Sequence, residues 1–529
     1  MANASTAWWQ TGIIYQIYPR SFQDSNGDGV GDLQGILQRL DYLRWLGVDA
    51  IWLSPIYPSP MADFGYDVSD YTDIHPMFGN LADFEVLQEA VHARGMKLLL
   101  DLVPNHTSSK HPWFLESRSS RDNPKRDWYI WQDTVPNNWL SVFGGTAWEW
   151  DEQTKQYYYH SFLKEQPDLN WRNPDVQEAI FNVMRFWLNR GVDGFRVDVL
   201  WFIFKDEQFR NNPPNDDYAS HMPTFDQLLP VYSTDQPEVH EVTRKMRSIL
   251  EEYEGSRVLI AEVYLPIKEL MMYYGVDNNG AHLPFNFLLL SLPWDAMQIS
   301  VAISHYEGAL PAQSWPNWVL SNHDRPRIVS RIGDQQARVA AMLLLTLRGT
   351  PTIYYGDEIG MRDVAIPFDE IKDPQGLNMP DKNLSRDPAR TPMQWDDNKN
   401  AGFTAGTPWL RLDKAYARIN VRRQQEDAHS MLSLYRRLIR LRQKEPALHA
   451  GTYVSVYADS QIMAFTRHHE GSASFLIVLN LTHRPGYFRP DNFTFSGTVE
   501  IAVAPELEGT AVSNVISIDG DEGMLIRLH

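Results

Sequence analysis

Short apolar runs alternate with helical stretches through most of the chain, and this alternation restricts the possible folds more than any other feature. The predicted strands are Ile13–Ile17, Ala50–Leu53, Lys97–Leu102, Gly194–Val199, Val258–Val263, Phe285–Leu290, Trp318–Leu320 and Thr352–Tyr355. The predicted helices between them include Leu33–Leu46, Leu81–Arg94, Val176–Arg190, His240–Tyr253 and Gln335–Leu347. Apolar strands separated by helices are typical of a parallel sheet covered on both faces. Eight such units predict an α/β fold, a closed (β/α)8 TIM barrel, with an open doubly wound sheet as the alternative.

The spacing of these units is uneven and predicts further domains. Residues 104–174, after the third strand, are too long for an ordinary loop, so we expect an inserted subdomain over the barrel mouth. The barrel then comprises residues 1–103 and 175–448, with a second polar insertion at about 361–410. From residue 449 to residue 529 short alternating strands predict a C-terminal antiparallel β domain, expected to be a β-sandwich.

Composition argues against several classes of protein. Forty-eight Lys and Arg against 67 Asp and Glu give a net charge of −19, which disfavours nucleic acids and anionic membranes as partners. The lack of cysteine excludes disulfides and thiolate chemistry. Residues Met1–Gln10 do not resemble a secretory signal, and no apolar run approaches the ~20 residues of a membrane span, so we expect a cytoplasmic protein. The sequence does not decide between a monomer and a dimer.

Acidic residues follow several of the predicted strands. A lone Asp after a strand is usually a cap or a turn residue. The carboxyl ends of parallel barrel strands share one rim, however, so we expect four such carboxyls to converge there. Two carboxyls facing one bond are typical of glycoside hydrolysis, and no Gly-x-Ser-x-Gly motif offers a serine alternative. The four carboxyls are those of Asp101, Asp198, Glu262 and Asp324.

Four segments resemble the conserved regions of the α-amylase family, glycoside hydrolase family 13. They are Asp101-Leu-Val-Pro-Asn-His106, Gly194-Phe-Arg-Val-Asp198, Glu262 after Ile-Ala, and Asn322-His-Asp324. Three further motifs resemble the oligo-1,6-glucosidase and α-glucosidase branch: Trp8-Trp9 with Ile14-Tyr-Gln-Ile-Tyr-Pro-Arg-Ser-Phe22, Gln166-Pro-Asp-Leu-Asn170, and Arg390-Thr-Pro-Met-Gln-Trp395. The resemblance covers nearly the whole chain and implies an exo-acting, retaining α-glucosidase that acts on oligosaccharides.

The resemblance also implies the roles of the catalytic residues. Asp198 matches the nucleophile, Glu262 the general acid and base, and Asp324 the carboxylate that binds the hydroxyls at C2 and C3. Arg196 lies two residues before the nucleophile on the same strand face, so we expect it to keep Asp198 ionised. The acid must start protonated, and we expect burial and nearby negative charge to raise the pKa of Glu262.

For substrate binding, the resemblance implies a closed pocket around one glucose. Tyr66 matches an aromatic platform, and Asp63, paired with Arg390, matches a clamp on the 4- and 6-hydroxyls. His106 and His323 match neutral hydrogen-bond donors. We expect Asp67 and Asp101 to support the architecture rather than to react. Tyr66 as a loop anchor and Arg390 as a structural ion pair remain alternatives, and Phe143 and Phe162 are candidate walls for the second sugar, with core packing as the alternative.

A loop near the N-terminus places oxygen ligands at alternate positions. Such a loop suits a hard cation, Ca²⁺ or Mg²⁺, and the resemblance implies that a backbone oxygen contributes as well. We expect a structural role, and a solvated Asx turn is the alternative. The spaced glycines lack a dinucleotide fingerprint, so no organic cofactor is predicted. The expected ligands are Asp24, Asn26, Asp28, Val30 and Asp32.

Two features give opposite indications of the linkage that is cleaved. Val199, directly after the nucleophile, accompanies α-1,6 activity in relatives, whereas the loop from Trp201 to Pro214 resembles enzymes that prefer short α-1,4 substrates. Both linkages therefore stay open. A glucosyltransferase or a sucrose or maltose isomerase could use the same site. A catalytically inactive sugar-binding or transporter-associated subunit is the alternative of another class, and the intact Asp198, Glu262 and Asp324 argue against it.

Overall fold

The computed structural model describes residues 6–529, so the first half of the Met1–Gln10 segment lies outside the described residues. The described part contains nineteen strands, numbered here in chain order. They are β1 (Ile14–Ile17), β2 (Ala50–Leu53), β3 (Lys97–Leu102), β4 (Trp131–Gln132), β5 (Trp148–Asp151), β6 (Gln156–Tyr159), β7 (Gly194–Val197), β8 (Val258–Ala261), β9 (Leu283–Pro284), β10 (Asn317–Val319), β11 (Thr350–Tyr354), β12 (Thr452–Ala458), β13 (Ile462–His468), β14 (Phe475–Asn480), β15 (Gly486–Phe488), β16 (Ser496–Ala502), β17 (Ala511–Ser513), β18 (Ile516–Ile518) and β19 (Gly523–Leu528).

Eight of these strands form the predicted (β/α)8 barrel. They pair in parallel in the order β10-β11-β1-β2-β3-β7-β8-β9. The seam between β9 and β10 is closed by the Asn317 side chain, whose amide nitrogen lies 2.5 Å from the Pro284 carbonyl oxygen and whose oxygen accepts the Asn286 N–H at 3.1 Å. Side chains from alternate strand positions, such as Trp52 and Ile260, fill the interior. The predicted closed barrel is therefore confirmed, and the open sheet is not found.

Helices cover the outside of the barrel, and several begin at the side-chain caps that their sequences predict. Asn80 and Asn173 accept N–H groups of the first turns of their helices. Within residues 6–529 no helix combines the length and apolarity needed to cross a bilayer. The α-helices are α1 (Trp8–Thr11), α2 (Pro19–Phe22), α3 (Leu33–Gln38), α4 (Leu40–Leu46), α5 (Leu81–Ala93), α6 (Pro112–Ser117), α7 (Pro174–Leu188), α8 (Val239–Glu251), α9 (Ile267–Met272), α10 (Leu288–Ser291), α11 (Ala296–Ala309), α12 (Ile328–Ile332), α13 (Asp334–Thr346), α14 (Pro374–Asn378), α15 (Val421–Glu426), α16 (Met431–Lys444) and α17 (Pro446–His449).

Two predicted elements differ from the structure. The helix expected over Leu33–Leu46 is two helices, because the backbone of Arg39 leaves the helical region between α3 and α4. The strand expected over Phe285–Leu290 is wrong, since β9 ends at Pro284 and Leu288–Ser291 is helical. Phe285 and Phe287 are buried in the barrel interior, and burial alone does not distinguish a short strand from a helix.

The two added regions are built from antiparallel strands. Between β3 and α7, the three strands β4-β6-β5 form a small sheet. After α17 a six-stranded sheet has the order β12-β13-β14-β19-β16-β17, and the two-stranded sheet β15-β18 shares an apolar core with one of its faces. The other face contributes residues such as Phe465 and Leu525 to the core around the barrel helices. The predicted C-terminal antiparallel domain is thus present.

Candidate active site

The predicted rim carboxyls converge at the carboxyl ends of the barrel strands. Asp101 is the next-to-last residue of β3, Asp198 directly follows β7, and Glu262 directly follows β8. The positions are set by the parallel register, in which Asp101 is level with Arg196 and Val197 is level with Ala261. All three side chains are buried, with Glu262 only 3% exposed. Buried carboxyls this close to one another require a compensating cation.

Arg196 is that cation. Its Nη1 donates to Asp101 Oδ1 at 2.9 Å and to Asp198 Oδ1 at 2.6 Å, and its Nη2 lies 2.8 Å from Glu262 Oε1. The alternation of the strand explains this contact, because Phe195 and Val197 pack toward the helices whereas Arg196 and Asp198 point into the barrel. The single positive charge of Arg196 is therefore shared by three carboxyls.

This shortage of positive charge keeps protons in the site. Burial raises the pKa of Asp198 well above its ordinary value, and Glu262 adds to that rise while Arg196 opposes it. Burial likewise raises the pKa of Glu262, again against Arg196. Burial also brings the pKa of Asp101 to about 6. Adjacent carboxyls with raised pKa values titrate together, so the Asp198–Glu262 pair keeps a proton to a higher pH than free carboxyls do. One carboxyl can then donate a proton while the other attacks.

Asp324 has the opposite environment. Arg390 Nη2 donates to its Oδ1 at 2.9 Å and Arg386 Nη1 at 3.1 Å. Burial raises the pKa of Asp324, but His323 and these two guanidinium groups outweigh burial and hold the pKa well below its usual range. Asp324 therefore stays ionised and can accept hydrogen bonds from sugar hydroxyls.

The expected ion pair of Asp63 with Arg390 is replaced by a pair with Arg386. Arg386 Nη2 donates to Asp63 Oδ1 at 2.7 Å and also to Asp373 Oδ1 at 2.7 Å, whereas Arg390 donates from Nε to the His323 carbonyl oxygen at 2.7 Å. The two arginines are four residues apart in one segment. Sequence reasoning named only Arg390, and the fold of the loop places Arg386 against Asp63. Burial raises the pKa of Asp63 to about 6 although Arg386 opposes that rise.

Tyr66 and His323 form a stacked pair beside Asp324. Their ring centroids are 5.4 Å apart with an interplanar angle of 4°, and the Tyr66 hydroxyl lies 2.6 Å from His323 Nε2. The Gln16 amide nitrogen lies 2.8 Å from His323 Nδ1, which makes Nδ1 the acceptor and leaves the proton on Nε2. Burial lowers the pKa of His323 to about 3, so the ring is neutral, as expected. Sequence reasoning missed this contact of Gln16, whose only signals are its place in β1 and in the Ile14–Phe22 motif.

His106 lies on the inserted side of the pocket. Burial lowers its pKa to about 4, so this ring is neutral as well. The Gln166 amide nitrogen lies 3.1 Å from His106 Nε2 and 3.3 Å from Asp63 Oδ2, which connects the inserted subdomain to the clamp. Phe162 packs 5.3 Å from the His106 ring. Sequence reasoning places Gln166 only within the Gln166–Asn170 motif and misses its contacts with Asp63 and His106.

The remaining predicted residues form the walls and supports of the pocket. Phe143 and Phe162 belong to one apolar cluster with Leu163 and Phe202, and the Arg386 guanidinium lies 4.8 Å from the centre of the Phe143 ring. Asp67 accepts the N–H groups of Ala62 and Asp63, both at 2.9 Å, and so fixes the loop that carries the clamp. Asp67 therefore supports the architecture, as expected.

Sequence comparison identifies the family to which this site belongs. The family model described as "Alpha amylase, catalytic domain" matches residues 16–451 of the chain. The chain belongs to the α-amylase family. It is 41% identical to the oligo-1,6-glucosidase of Parageobacillus thermoglucosidasius, with 94% of each chain covered, and 41% identical to the alpha-glucosidase of Apis mellifera, with 89% of this chain and 85% of that one covered. Among solved structures, the alpha-glucosyl transfer enzyme XgtA superposes with a TM-score of 0.93 at 39% identity, covering 99% of this chain and 100% of the other.

The predicted cation loop of this α-amylase-family chain is a series of Asx turns. Asp24 Oδ1 accepts the N–H groups of Asn26 and Gly27 at 2.9 and 2.7 Å, and its Oδ2 accepts the N–H of Gly29 at 2.8 Å. Gly29 has φ of +95°, and a Cβ there would meet the Thr407 carbonyl. Within residues 6–529 no three His, Cys, Asp or Glu side chains form a cation cage. The donor types suit a hard cation, and the cation site stays a prediction.

Proposed function

We propose that this α-amylase-family protein is an exo-acting, retaining α-glucosidase that releases α-glucose from the non-reducing end of short α-1,4- and α-1,6-glucosides. One observation carries the proposal: a single guanidinium, Arg196, holds both Asp198 and Glu262. The shared guanidinium brings the two carboxyls close together, and closely spaced carboxyls, about 5 Å apart, are typical of retaining enzymes, whereas inverting enzymes leave a wider gap that admits a water. The similarity to an oligo-1,6-glucosidase and an alpha-glucosidase supports the same class.

In the first step the proton of the carboxyl pair resides on Glu262. The Asp198 carboxylate attacks C1 of the terminal glucose from the face opposite the leaving oxygen. The C1–O bond breaks, and Glu262 gives its proton to that oxygen as the second sugar leaves. The product is a β-glucosyl ester of Asp198, and Arg196 neutralises the negative charge that Glu262 acquires.

In the second step the ionised Glu262 acts as the base. A water enters the position of the departed sugar, Glu262 takes its proton, and the hydroxide oxygen attacks C1 while the bond to Asp198 breaks. Two inversions give α-glucose and restore the proton on Glu262. A sugar hydroxyl in place of water gives transglucosylation, and the similarity to an alpha-glucosyl transfer enzyme favours this as the second activity.

The exo mode rests on the ion pair of Asp63 with Arg386. Asp63 is buried and the Arg386 side chain is only 9% exposed, and Asp373, which also accepts from Arg386 Nη2, keeps the guanidinium in place. We propose that Asp63 and Arg386 bind the terminal hydroxyls of the substrate, while Asp324 and the neutral His106 and His323 bind the others. A pocket closed by an ion pair accepts only a chain end.

Hydrolysis of p-nitrophenyl α-glucoside tests the activity. We expect nitrophenol release, with α-glucose as the anomer formed first in an NMR time course. An absence of release would contradict the glucosidase proposal, and β-glucose formed first would contradict the retaining mechanism. A panel of maltose, isomaltose, sucrose and trehalose, with all products quantified, separates hydrolysis from transfer and isomerisation and measures the linkage preference.

We also propose that the loop from Asp24 to Asp32 binds a Ca²⁺ or Mg²⁺ ion that stabilises the fold. Support comes from the alternating oxygen donors and from Thr404, which binds the Asp24 carboxylate and connects the loop to the second insertion. We expect a chelator to lower the melting temperature more than the initial rate, since a ligand of the native state stabilises it by mass action. The matched control is Asp28→Asn, which should lose this chelator sensitivity. A cytoplasmic location remains a prediction, to be tested by fractionation of the source cells.

A further inference from the structure

The residue after the proposed nucleophile has a strained backbone. Val199 has φ of +37° and ψ of +42°, the left-handed region that β-branched residues almost never occupy. Strain of this kind persists only where the surrounding structure fixes it, and it concentrates at functional sites. The residues on either side are regular: Asp198 N–H still donates to the Leu102 carbonyl at 2.8 Å, and a 3₁₀ turn, Leu200–Phe202, follows. The strain is therefore confined to one residue at the centre of the site.

The strained residue makes a hydrogen bond to the general acid. The backbone N–H of Val199 donates to Glu262 Oε2 at 2.8 Å. The other oxygen, Oε1, lies 2.8 Å from Arg196 Nη2. With a donor on each oxygen, the plane of the Glu262 carboxyl is fixed, and so is the direction in which it delivers a proton.

The side chain of Val199 holds the backbone in this conformation. It packs against the apolar cluster that contains Phe143, Phe162 and Phe202. The Val199 carbonyl oxygen accepts the N–H of Phe202 at 2.8 Å, which closes the turn from the other side. Packing and turn together keep the N–H directed at Glu262.

We propose that Val199 is a positioning residue that aims the general acid through its backbone N–H, in addition to any contact of its side chain with the substrate. The inference rests on the proposed glucosidase function, because it assigns a role within that reaction. It predicts that loss of the N–H selectively slows cleavage of bonds whose leaving group needs a proton. It also predicts a changed pH profile, because an N–H donor favours the ionised carboxylate.

Several groups face Glu262 and contribute to its titration. Burial and the charge of Asp324 favour the protonated form, whereas Arg196 and a hydrogen bond with Asp198 favour the ionised form and so lower the pKa of Glu262. The Val199 N–H is the uncharged donor in this set, and its removal leaves the charges unaltered. These facing groups are Arg196 in β7, Asp198 directly after it, Asp101 near the end of β3, Asp324 after β10, and Tyr264 two residues beyond Glu262.

An amide-to-ester substitution at position 199 tests the inference. Incorporating the α-hydroxy acid of valine keeps the side chain and replaces the N–H with an oxygen. We expect kcat/KM for maltose, whose leaving group needs protonation, to fall about 10-fold, a typical loss for one hydrogen bond to a charged group. The value for α-glucosyl fluoride, whose leaving group does not need a proton, should stay within about 2-fold. The alkaline limb of the kcat/KM profile for maltose should move upward by about one pH unit.

Two matched variants separate positioning from general damage. The same ester at Ile203, whose N–H donates to the Leu200 carbonyl in the same turn, should leave the maltose-to-fluoride ratio unchanged. Val199→Gly keeps the N–H and accepts a left-handed φ without strain but loses the side-chain packing, so it should lower that ratio less than the Val199 ester does. Equal losses for both substrates in the Val199 ester, or an unmoved alkaline limb, would overturn the inference. A wild-type enzyme that cleaves neither substrate would instead refute the proposed function.

Discussion

Two aspartates flank the same four-residue strand and have opposite environments. Asp193 precedes β7 at the bottom of the barrel, and Asp198 follows it at the top. Asp193 lies within 2.6 Å of His92 Nε2, 3.2 Å of Lys97 Nζ and 2.5 Å of Arg257 Nη1. Asp198 has one cationic partner, Arg196, which also serves two other carboxyls. The bottom carboxyl has two cations and a histidine to itself, and the top one shares a single cation.

The difference in charge environment distinguishes a carboxyl that stabilises the fold from one suited to proton transfer. At the bottom, burial is outweighed by hydrogen bonds and charges, with His92 foremost, and the pKa of Asp193 is lowered. At the top, burial dominates and the pKa of Asp198 is raised. A carboxyl with satisfied charge anchors the fold, whereas one with too little positive charge nearby can lose or gain a proton during a reaction. This matches the division of barrel enzymes into a catalytic top and a stabilising bottom.

The largest expected effect is that of Asp198→Asn. The variant keeps the side-chain volume and removes the nucleophile, so we expect kcat/KM for p-nitrophenyl α-glucoside to fall at least about 10³-fold. The melting temperature should stay level or rise, because one of three crowded carboxyls is neutralised. Parallel rate and thermal-unfolding measurements check both points. If the variant kept wild-type turnover, or if its melting temperature fell clearly, the proposed difference between the catalytic top and the stabilising bottom of β7 would be contradicted.

Arg386→Lys should have the next largest effect. Lys keeps the positive charge near Asp63 but loses the planar fork that binds Asp63, Asp324 and Asp373 at once. We expect kcat/KM to fall about 10- to 100-fold, mainly through KM, since the proposed role is binding of the terminal glucose. Lys97→Met at the bottom, which removes one of the basic partners of Asp193, is the control and should leave kcat/KM within about 2-fold. An unchanged KM in Arg386→Lys would contradict the proposed clamp.

Asp193→Asn should have the opposite effects to Asp198→Asn, lowering stability and leaving activity unchanged. It removes the charge that His92, Lys97 and Arg257 surround, and these partly exposed side chains can regain water, so we expect a loss of about 1–3 kcal/mol. The melting temperature should fall by several degrees, measured by calorimetry. The specific activity of the folded fraction should stay close to that of the wild type. A variant as stable as the wild type would show that the bottom network contributes little.

Much of the architecture was predictable because it depends on local pattern. Buried strands such as Ala50–Leu53 and Lys97–Leu102 have the predicted bounds, and the parallel register then carries Asp101, Asp198 and Glu262 to one rim. A carboxyl at a strand end therefore has a position that sequence alone can give. The roles of those three residues in catalysis remain predictions until the variants are measured.

Other features depend on long loops and could not be predicted. The partner of Asp63 is decided by how the segment from Ser385 to Arg390 folds over the rim, and two arginines in that segment were equally suitable by type. The contacts of Gln16 and Gln166 with the two histidines join positions far apart in the chain. The left-handed Val199 has no sequence signal at all, since valine is a poor residue for that conformation.

The smallest effect is the pH dependence of the two variants, and it gives the sharpest comparison. An unfolded Asp titrates near pH ~3.9. Because the folded pKa of Asp193 is lowered, its stabilisation is present above that pH and is lost as the pH falls. Because the folded pKa of Asp198 is raised, the wild type loses stability there as the pH rises from that value toward the folded pKa. Relative to the wild type, Asp193→Asn should lose its deficit in stability as the pH falls below about 4, whereas Asp198→Asn should gain stability as the pH rises above about 4. Melting temperatures of the three proteins from about pH 3 to about pH 7 should therefore differ in separate pH ranges, and curves that stay parallel throughout would show that the two ends of the strand do not differ in their proton affinity.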